Sequence, residues 1–215
     1  MPRRPDYRLY LVTDRELARG RPLVELVGQA VAGGVTVVQL REKEASTRDF
    51  VALAERLQQL LVPLRVPLII NDRIDVALAV SAAGVHVGQS DMPAERARRL
   101  LGDDRLLGVS VSTVEEARRA EAAGADYLGI SPIYATPTKT DTPTPVGLTG
   151  LASLRATTRL PLVAIGGLHA GNLLPVLASG ADGIAVVSAI MAADDPAAAA
   201  RDLRAEIDRG RETTA

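Results

Sequence analysis

The sequence predicts a single-domain α/β protein folded as a (β/α)8 TIM barrel. Eight short apolar runs alternate along the chain with amphipathic stretches rich in alanine and leucine, the pattern of parallel strands joined by helices. The length of 215 residues falls within the usual size of a compact barrel, roughly 200 to 250 residues. We therefore expect one domain over residues 1–215, with a core at about 7–209.

The elements follow one another in regular order. The predicted strands are Leu9–Val12, Thr36–Leu40, Leu68–Ile70, Val85–Val87, Leu107–Val109, Tyr127–Ile130, Leu162–Ile165 and Gly183–Val186. The predicted helical stretches between them are Leu23–Ala32, Thr47–Leu61, Asp72–Ala82, Pro93–Leu101, Thr113–Ala123 and Leu173–Ala178.

A degenerate helix-to-strand junction supports a reiterated βα unit. Residues 32–35, 83–86, 123–126 and 179–182 each place a glycine between a helix end and the next strand, where it is predicted to be a left-handed C-cap. An open doubly wound sheet is the alternative. Its G-x-G-x-x-G signature is missing, because residues 9–14 contain no glycine.

Composition restricts the class of partner. The net charge of −1 and the aromatic content of 2% argue against a nucleic-acid-binding surface, and the absence of cysteine excludes disulfides and thiolate metal sites. No apolar run approaches the ~20 residues of a membrane span, and none follows Met1 as in a signal peptide. We expect a cytoplasmic protein that binds small molecules, and a homo-oligomer is compatible with the sequence.

Polar residues gather where the predicted strands end, the edge at which barrel enzymes build their active sites. They comprise residues 39–43 after strand 2, 71–73 after strand 3, 86–91 in and after strand 4, and 110–112 at strand 5. Strand 6 leads into a long loop, Ser131 to Gly147, with threonine, proline and lysine at its centre. A loop of this length is typically functional.

Two features predict phosphate and metal binding. Gly166-Gly167 and Val187-Ser188 follow strands 7 and 8, where backbone amides commonly cradle a phosphate, although the glycine pair could simply turn the chain. Asp72 and Asp91 follow strands 3 and 4, so their carboxylates could converge on Mg²⁺; each could instead cap a helix.

The remaining candidates are cations and histidines. Lys43 and Lys139 are the only lysines among 25 basic residues, and both lie in predicted loops with Arg41 in the same region. Lysine is a compact charge that arginine cannot always replace at a phosphate. His86 and His169 are expected to be structural, and no motif for a Ser, zinc-protease or P-loop enzyme is present.

These segments, taken in order, resemble the thiamine phosphate synthase family over nearly the whole chain, from about Tyr10 to the last helix. The resemblance is carried by segments 39–43, 71–72, 86–91, 108–110, 129–139, 165–167 and 187–188. It implies one Mg²⁺ per subunit, held by Asp72 and Asp91. It implies Ser110, Lys139, Lys43 and Arg41 as catalytic residues; Gln39, Leu40, Arg41, Glu42, Lys43, Asn71, Ser110 and Lys139 around a pyrimidine diphosphate; and Thr136, Pro137, Thr138, Gly166, Gly167, Val187 and Ser188 around a thiazole phosphate.

The implied reaction is a dissociative substitution. Diphosphate leaves the pyrimidine methylene and the thiazole nitrogen attacks, so positioning and charge stabilisation suffice and no strong base is required. Three other functions fit parts of the pattern: a related thiazole tautomerase, a barrel isomerase or aldolase acting on a sugar phosphate, and a non-catalytic phosphate-binding protein. The pair of aspartates with Lys139 speaks against the tautomerase, which needs neither metal nor diphosphate.

Overall fold

The computed structural model describes residues 5–136 and 144–212 and contains a closed barrel of eight parallel strands. Each strand pairs with its neighbours in sequence, and the first pairs with the last. The (β/α)8 prediction is therefore confirmed. The strands are β1 (Leu9–Val12), β2 (Val37–Leu40), β3 (Leu68–Asn71), β4 (Gly84–Val87), β5 (Leu106–Val111), β6 (Tyr127–Ile130), β7 (Leu162–Ile165) and β8 (Gly183–Val186).

Helices surround this barrel. They are α1 (Leu23–Ala32), α2 (Thr47–Leu61), α3 (Ile74–Ala79), α4 (Ala94–Leu101), α5 (Val114–Ala122), α6 (Gly147–Thr157), α7 (Leu174–Ala178), α8 (Ser188–Met191) and α9 (Pro196–Glu212). Within the described ranges, no helix is long and apolar enough to cross a membrane.

Alternating side chains along each strand build two separate apolar layers. One set faces outward and packs beneath the helices, as Leu11 and Leu40 do. The other set points into the barrel and includes Tyr10, Val37 and Tyr127. Because side chains alternate with a period of two, the inward set also determines which residues reach the mouth of the barrel.

The third helix is shorter than predicted, and neither aspartate caps a helix. Asp72 lies before α3 with a left-handed backbone (φ 62°), and Arg73 occupies the N-cap position. Pro93 is the N-cap of α4, whereas the Asp91 carboxylate accepts a hydrogen bond from the Gly88 amide at 2.7 Å. The helix-cap alternative is therefore wrong for both residues.

One of the four glycine junctions also differs from prediction. Gly34, Gly124 and Gly180 have positive φ as expected, but before β4 the left-handed residue is Ser81 (φ 53°). Gly84 is the first residue of β4, and a Cβ there would lie 2.1 Å from the Leu106 carbonyl oxygen. This glycine therefore permits the close approach of β4 and β5. In the sequence, a glycine with this role looks the same as a glycine that caps a helix.

Candidate active site

The predicted site residues of the first five strands meet at the carboxyl edge of the barrel. Asn71 is in register with His86, and Ser110 with Gly129, so these positions share the inward side of the sheet. Gln39 and His86 are buried, whereas Asn71 and Ser110 are half-buried at the mouth. The interior is therefore polar at this end and apolar below it.

A chain of hydrogen bonds crosses the barrel beneath the mouth. The Gln39 Nε2 donates to the Tyr10 hydroxyl (2.8 Å), which lies 2.9 Å from the Tyr127 hydroxyl. The Tyr127 oxygen is 3.0 Å from His86 Nδ1, and His86 Nε2 is 2.8 Å from Ser110 Oγ. Burial raises the pKa of Tyr10 and of Tyr127 well above that of a free phenol, so both rings stay neutral.

The two candidate metal ligands face each other at the ends of β3 and β4. Burial and the neighbouring Asp72 carboxylate raise the pKa of Asp91, against the opposing effects of the Gly88 amide and the Lys43 ammonium. Lys43 Nζ lies 2.7 Å from Asp72 Oδ2. Two adjacent carboxylate groups suit Mg²⁺, which commonly takes one or two carboxylates.

The segment after β2 divides into residues that face the mouth and residues that hold the segment in place. The Leu40 side chain is fully buried among the outward-facing residues, so only its backbone can face a ligand. Glu42 is buried and accepts from Arg15 Nε at 2.9 Å. Arg41 Nη1 lies 3.5 Å from Asp14 Oδ2. The Arg41 backbone amide donates a hydrogen bond to Thr13 Oγ1.

The loops after β6 and β7 lie against each other. The amides of Ile133 and Tyr134 donate to the carbonyls of Ile165 (3.0 Å) and Gly166 (3.1 Å). Gly167 has φ 67°, and a Cβ there would lie 2.9 Å from the Tyr134 Cβ, so a larger residue would push the two loops apart. Thr136 follows as the last described residue of its segment.

The end of β8 lies beside the loop after β7 and contains the other residues of the predicted phosphate site. β8 pairs with β7, which brings Val187 and Ser188 beside Gly166 and Gly167. Ser188 begins α8, and amides in the first turn of a helix have no carbonyl partner within it. Pro137, Thr138 and Lys139 lie outside the described residues.

The sequence analysis did not single out Tyr10 or Tyr127 and expected His86 to be structural; the structure places all three in this buried chain of hydrogen bonds. The available signal was the period of two: His86 lies two residues after Gly84 on β4, so both face inward, and the inward positions of β5 and β6 include glycine. A Cβ at Gly108 would lie 2.3 Å from the Tyr127 hydroxyl and 2.5 Å from His86 Nδ1, and one at Gly129 would lie 2.9 Å from His86 Cε1. These glycines leave the space that the two rings fill.

Comparison with known proteins gives the family. A family profile described as thiamine monophosphate synthase matches residues 9–190. The chain is 60% identical over 201 residues to a thiamine-phosphate synthase of Albidiferax ferrireducens, covering 94% of this chain and 92% of that protein. It is 56% identical over 199 residues to one of Syntrophomonas wolfei, covering 93% and 95%. A solved thiamine phosphate pyrophosphorylase from Pyrococcus furiosus superposes with a TM-score of 0.87 at 40% identity, covering 95% of this chain and 97% of the other. The chain therefore belongs to the thiamine monophosphate synthase family.

Proposed function

We propose that this chain condenses 4-amino-2-methyl-5-(diphosphooxymethyl)pyrimidine with 4-methyl-5-(2-phosphoethyl)thiazole, giving thiamine monophosphate and diphosphate. Family membership makes it a transferase of thiamine biosynthesis. The geometric observation that carries the proposal is the pair of adjacent carboxylates, Asp72 and Asp91, with the Lys43 ammonium beside them at the barrel mouth. A tautomerase that handles only a thiazole phosphate would need no such pair. We also infer that the protein acts in the cytoplasm, a location supported by its lack of cysteine.

Asp72 and Asp91 would hold one Mg²⁺, with water and diphosphate oxygens as the other ligands. Among the described residues, no group of three or more acidic, histidine or cysteine side chains is gathered to hold a metal, so the proposal depends on this pair of carboxylates together with substrate and water oxygens. The bound ion would supply positive charge to the departing diphosphate. Its charge would also offset the burial and the neighbouring Asp72 carboxylate, which together raise the pKa of Asp91.

The pyrimidine diphosphate would lie across the polar mouth of the barrel. We assign Gln39 and Asn71 to orienting it, and Arg41, Lys43, Ser110 and Lys139 to its diphosphate. Glu42 takes part by holding Arg15 and its own loop, and Leu40 through its backbone alone. The cationic side chains stabilise the charge that develops as the methylene C–O bond breaks.

The reaction needs positioning more than proton transfer. The ring's amino group spreads the positive charge left on the methylene carbon, and the lone pair of the thiazole nitrogen then forms the new C–N bond. Neither step removes a proton, so the reaction asks the site for charge and hydrogen bonds rather than for a base.

The thiazole phosphate would bind at the ends of β7 and β8. Backbone amides at Gly166, Gly167, Val187 and Ser188 would supply the donors, and the two glycines place no side chain in the way. We assign Thr136, Pro137 and Thr138 of the loop after β6 to the same substrate, as the family resemblance implies. Tyr134 of this loop lies against Gly166 and Gly167. With the diphosphate at the metal site and the thiazole phosphate at the ends of β7 and β8, the two substrates would meet between these sites.

The test is formation of thiamine monophosphate from the two purified substrates with Mg²⁺, and again with excess EDTA. Oxidation of the product to its fluorescent derivative gives the readout. Product that depends on the metal supports both the reaction and the cofactor. Conversion of a thiazole tautomer without condensation would assign the chain to the isomerase instead, and no turnover in either assay would refute both.

A further inference from the structure

The buried chain from Gln39 to Ser110 has a direction that follows from the orientation of the Gln39 amide, whose nitrogen faces the Tyr10 hydroxyl. The Tyr10 hydroxyl accepts a hydrogen bond from Gln39 Nε2. Within residues 5–136 and 144–212, the other hydrogen-bond partner of this hydroxyl is the Tyr127 hydroxyl. Tyr10 is 1% exposed, so its proton cannot turn to water and must be donated to Tyr127. If Tyr127 donated to Tyr10 instead, the Tyr10 oxygen would accept twice and its own buried proton would have no acceptor among the described residues.

The direction then passes to the histidine. Tyr127, having accepted from Tyr10, donates its proton to His86 Nδ1 at 3.0 Å. An imidazole that accepts at Nδ1 carries its proton on Nε2 when neutral. His86 Nε2 lies 2.8 Å from Ser110 Oγ, so it donates to that oxygen. Ser110 accepts from below, and its own hydroxyl proton remains to be donated toward the barrel mouth.

We propose that Tyr10, Tyr127 and His86 are positioning residues that set the polarity of the pyrimidine diphosphate site from beneath it. This inference rests on the proposed function. With His86 protonated on Nε2, Ser110 presents a donor to an anion. With the opposite tautomer, Ser110 would donate to His86 and present only lone pairs, which repel a diphosphate oxygen.

The same chain sets the opposite polarity at its other end. Because Gln39 uses its amide nitrogen on Tyr10, its Oε1 is left as the acceptor of that side chain. An acceptor there matches an exocyclic amino group, and a donor at Ser110 matches a phosphate. The aminopyrimidine and its diphosphate carry these two groups, so a single chain across the barrel is complementary to both ends of one substrate.

The barrel is built to hold this chain in place. The small residues Gly108 and Gly129 make room for the rings of Tyr127 and His86, since a Cβ at either glycine would overlap one of them. The Tyr127 ring also packs against the Tyr7 ring, with centroids 4.9 Å apart. Tyr7 contributes no atom to the four hydrogen bonds of the chain, which makes it a matched control.

The first test reads the tautomer directly, without substrate. Two-bond ¹H–¹⁵N correlation on ¹⁵N-histidine protein distinguishes protonated from unprotonated ring nitrogens, and His169→Gln assigns the second histidine of the chain. We expect Nε2 of His86 to be protonated and Nδ1 not. Tyr127→Phe, which removes the donor to Nδ1, is expected to abolish this preference. A protonated Nδ1 in neutral wild-type His86, or an unchanged pattern in Tyr127→Phe, would overturn the inference.

The second test asks whether the chain acts through Ser110. Tyr127→Phe is expected to lower kcat about ten-fold, as for loss of one buried hydrogen bond, with KM for the thiazole phosphate unchanged. Tyr7→Phe should keep the wild-type kcat. In a Ser110→Ala background, Tyr127→Phe should have no further effect on kcat. Independent losses in the double variant would mean that Tyr127 does not act through Ser110.

The two tests separate failure of this inference from failure of the proposed function. The tautomer is measured in ligand-free protein and is independent of any turnover. If the wild-type protein makes no thiamine monophosphate, the proposed function fails whatever the tautomer. If turnover is normal but His86 carries its proton on Nδ1, only the positioning inference fails.

Discussion

Glu206 on α9 offers a sharp test of how the phosphate site is held. Its carboxylate is 6% exposed and accepts from two backbone amides of the segment after β7, Gly171 at 2.7 Å and Leu173 at 3.1 Å. Asn172, between them, donates to the Gly167 carbonyl at 2.9 Å. One buried side chain on the last helix therefore anchors the segment that positions Gly167.

Glu206→Gln keeps the shape but replaces one acceptor oxygen with an NH₂ group. One backbone amide then faces a donor, and the other loses a charged partner. Hydrogen bonds to a charged group contribute about 1.5–3 kcal/mol each and neutral ones about 0.5–1.5 kcal/mol. Losing one charged hydrogen bond and weakening the other should lower the free energy of unfolding by about 2.5–4.5 kcal/mol, which for a chain of this size lowers Tm by about 5–18 °C.

The assays are thermal unfolding and steady-state kinetics. KM for the thiazole phosphate should rise by up to about ten-fold, or about 1.4 kcal/mol, while KM for the pyrimidine diphosphate stays near wild type. Asp208→Asn is the control, because Asp208 lies on the same helix but is 40% exposed and pairs with Arg8 and Arg204 at the surface. That change should cost less than about 1 kcal/mol. A Glu206→Gln protein that melts with the wild type would refute the reasoning.

Three further predictions concern the metal site and the loop after β6. Asp72→Asn should weaken Mg²⁺ binding at least about ten-fold by calorimetry with diphosphate present, while thiazole phosphate still binds; an unchanged Mg²⁺ affinity would contradict the ligand assignment. Because the pKa of Asp91 is raised in the folded state, the folded state binds more protons than the unfolded state between the ordinary pKa of about 4 and the raised pKa. Metal-free stability should therefore fall as pH rises through that raised pKa, and Asp91→Asn should remove this fall in urea unfolding with EDTA; identical pH profiles would count against it. Lys139→Ala should lower kcat about a hundred-fold with Tm unchanged; an equal loss of Tm would make Lys139 structural.

Much of the fold could be predicted because its signals are local. Short apolar runs located all eight strands to within two residues at either end, since a strand buried on both faces is a continuous apolar segment. The helix before β4 was placed less well. Asp72 adopts a left-handed backbone and contacts Lys43 and Asp91. Because these two residues follow β2 and β4, tertiary contacts overrode the local preference of Asp72 for the start of a helix.

The order of polar segments after the strands was enough to indicate the family and the pair of aspartates. These features depend on residue type and sequence order, which the chain carries in itself. That the Asp72 and Asp91 carboxylates approach each other depends on β3 and β4 being neighbours, and a (β/α)8 order already implies this.

Only the tertiary structure decided which side chains meet inside the barrel. Tyr10 and Tyr127 are 117 residues apart, yet their hydroxyls lie 2.9 Å from each other because the sheet closes on itself and its register turns both inward. The partners of His86 could not be predicted from the sequence for the same reason, since they lie on β5 and β6. Closure and register are properties of all eight strands together, so no local pattern contains the contacts that they create.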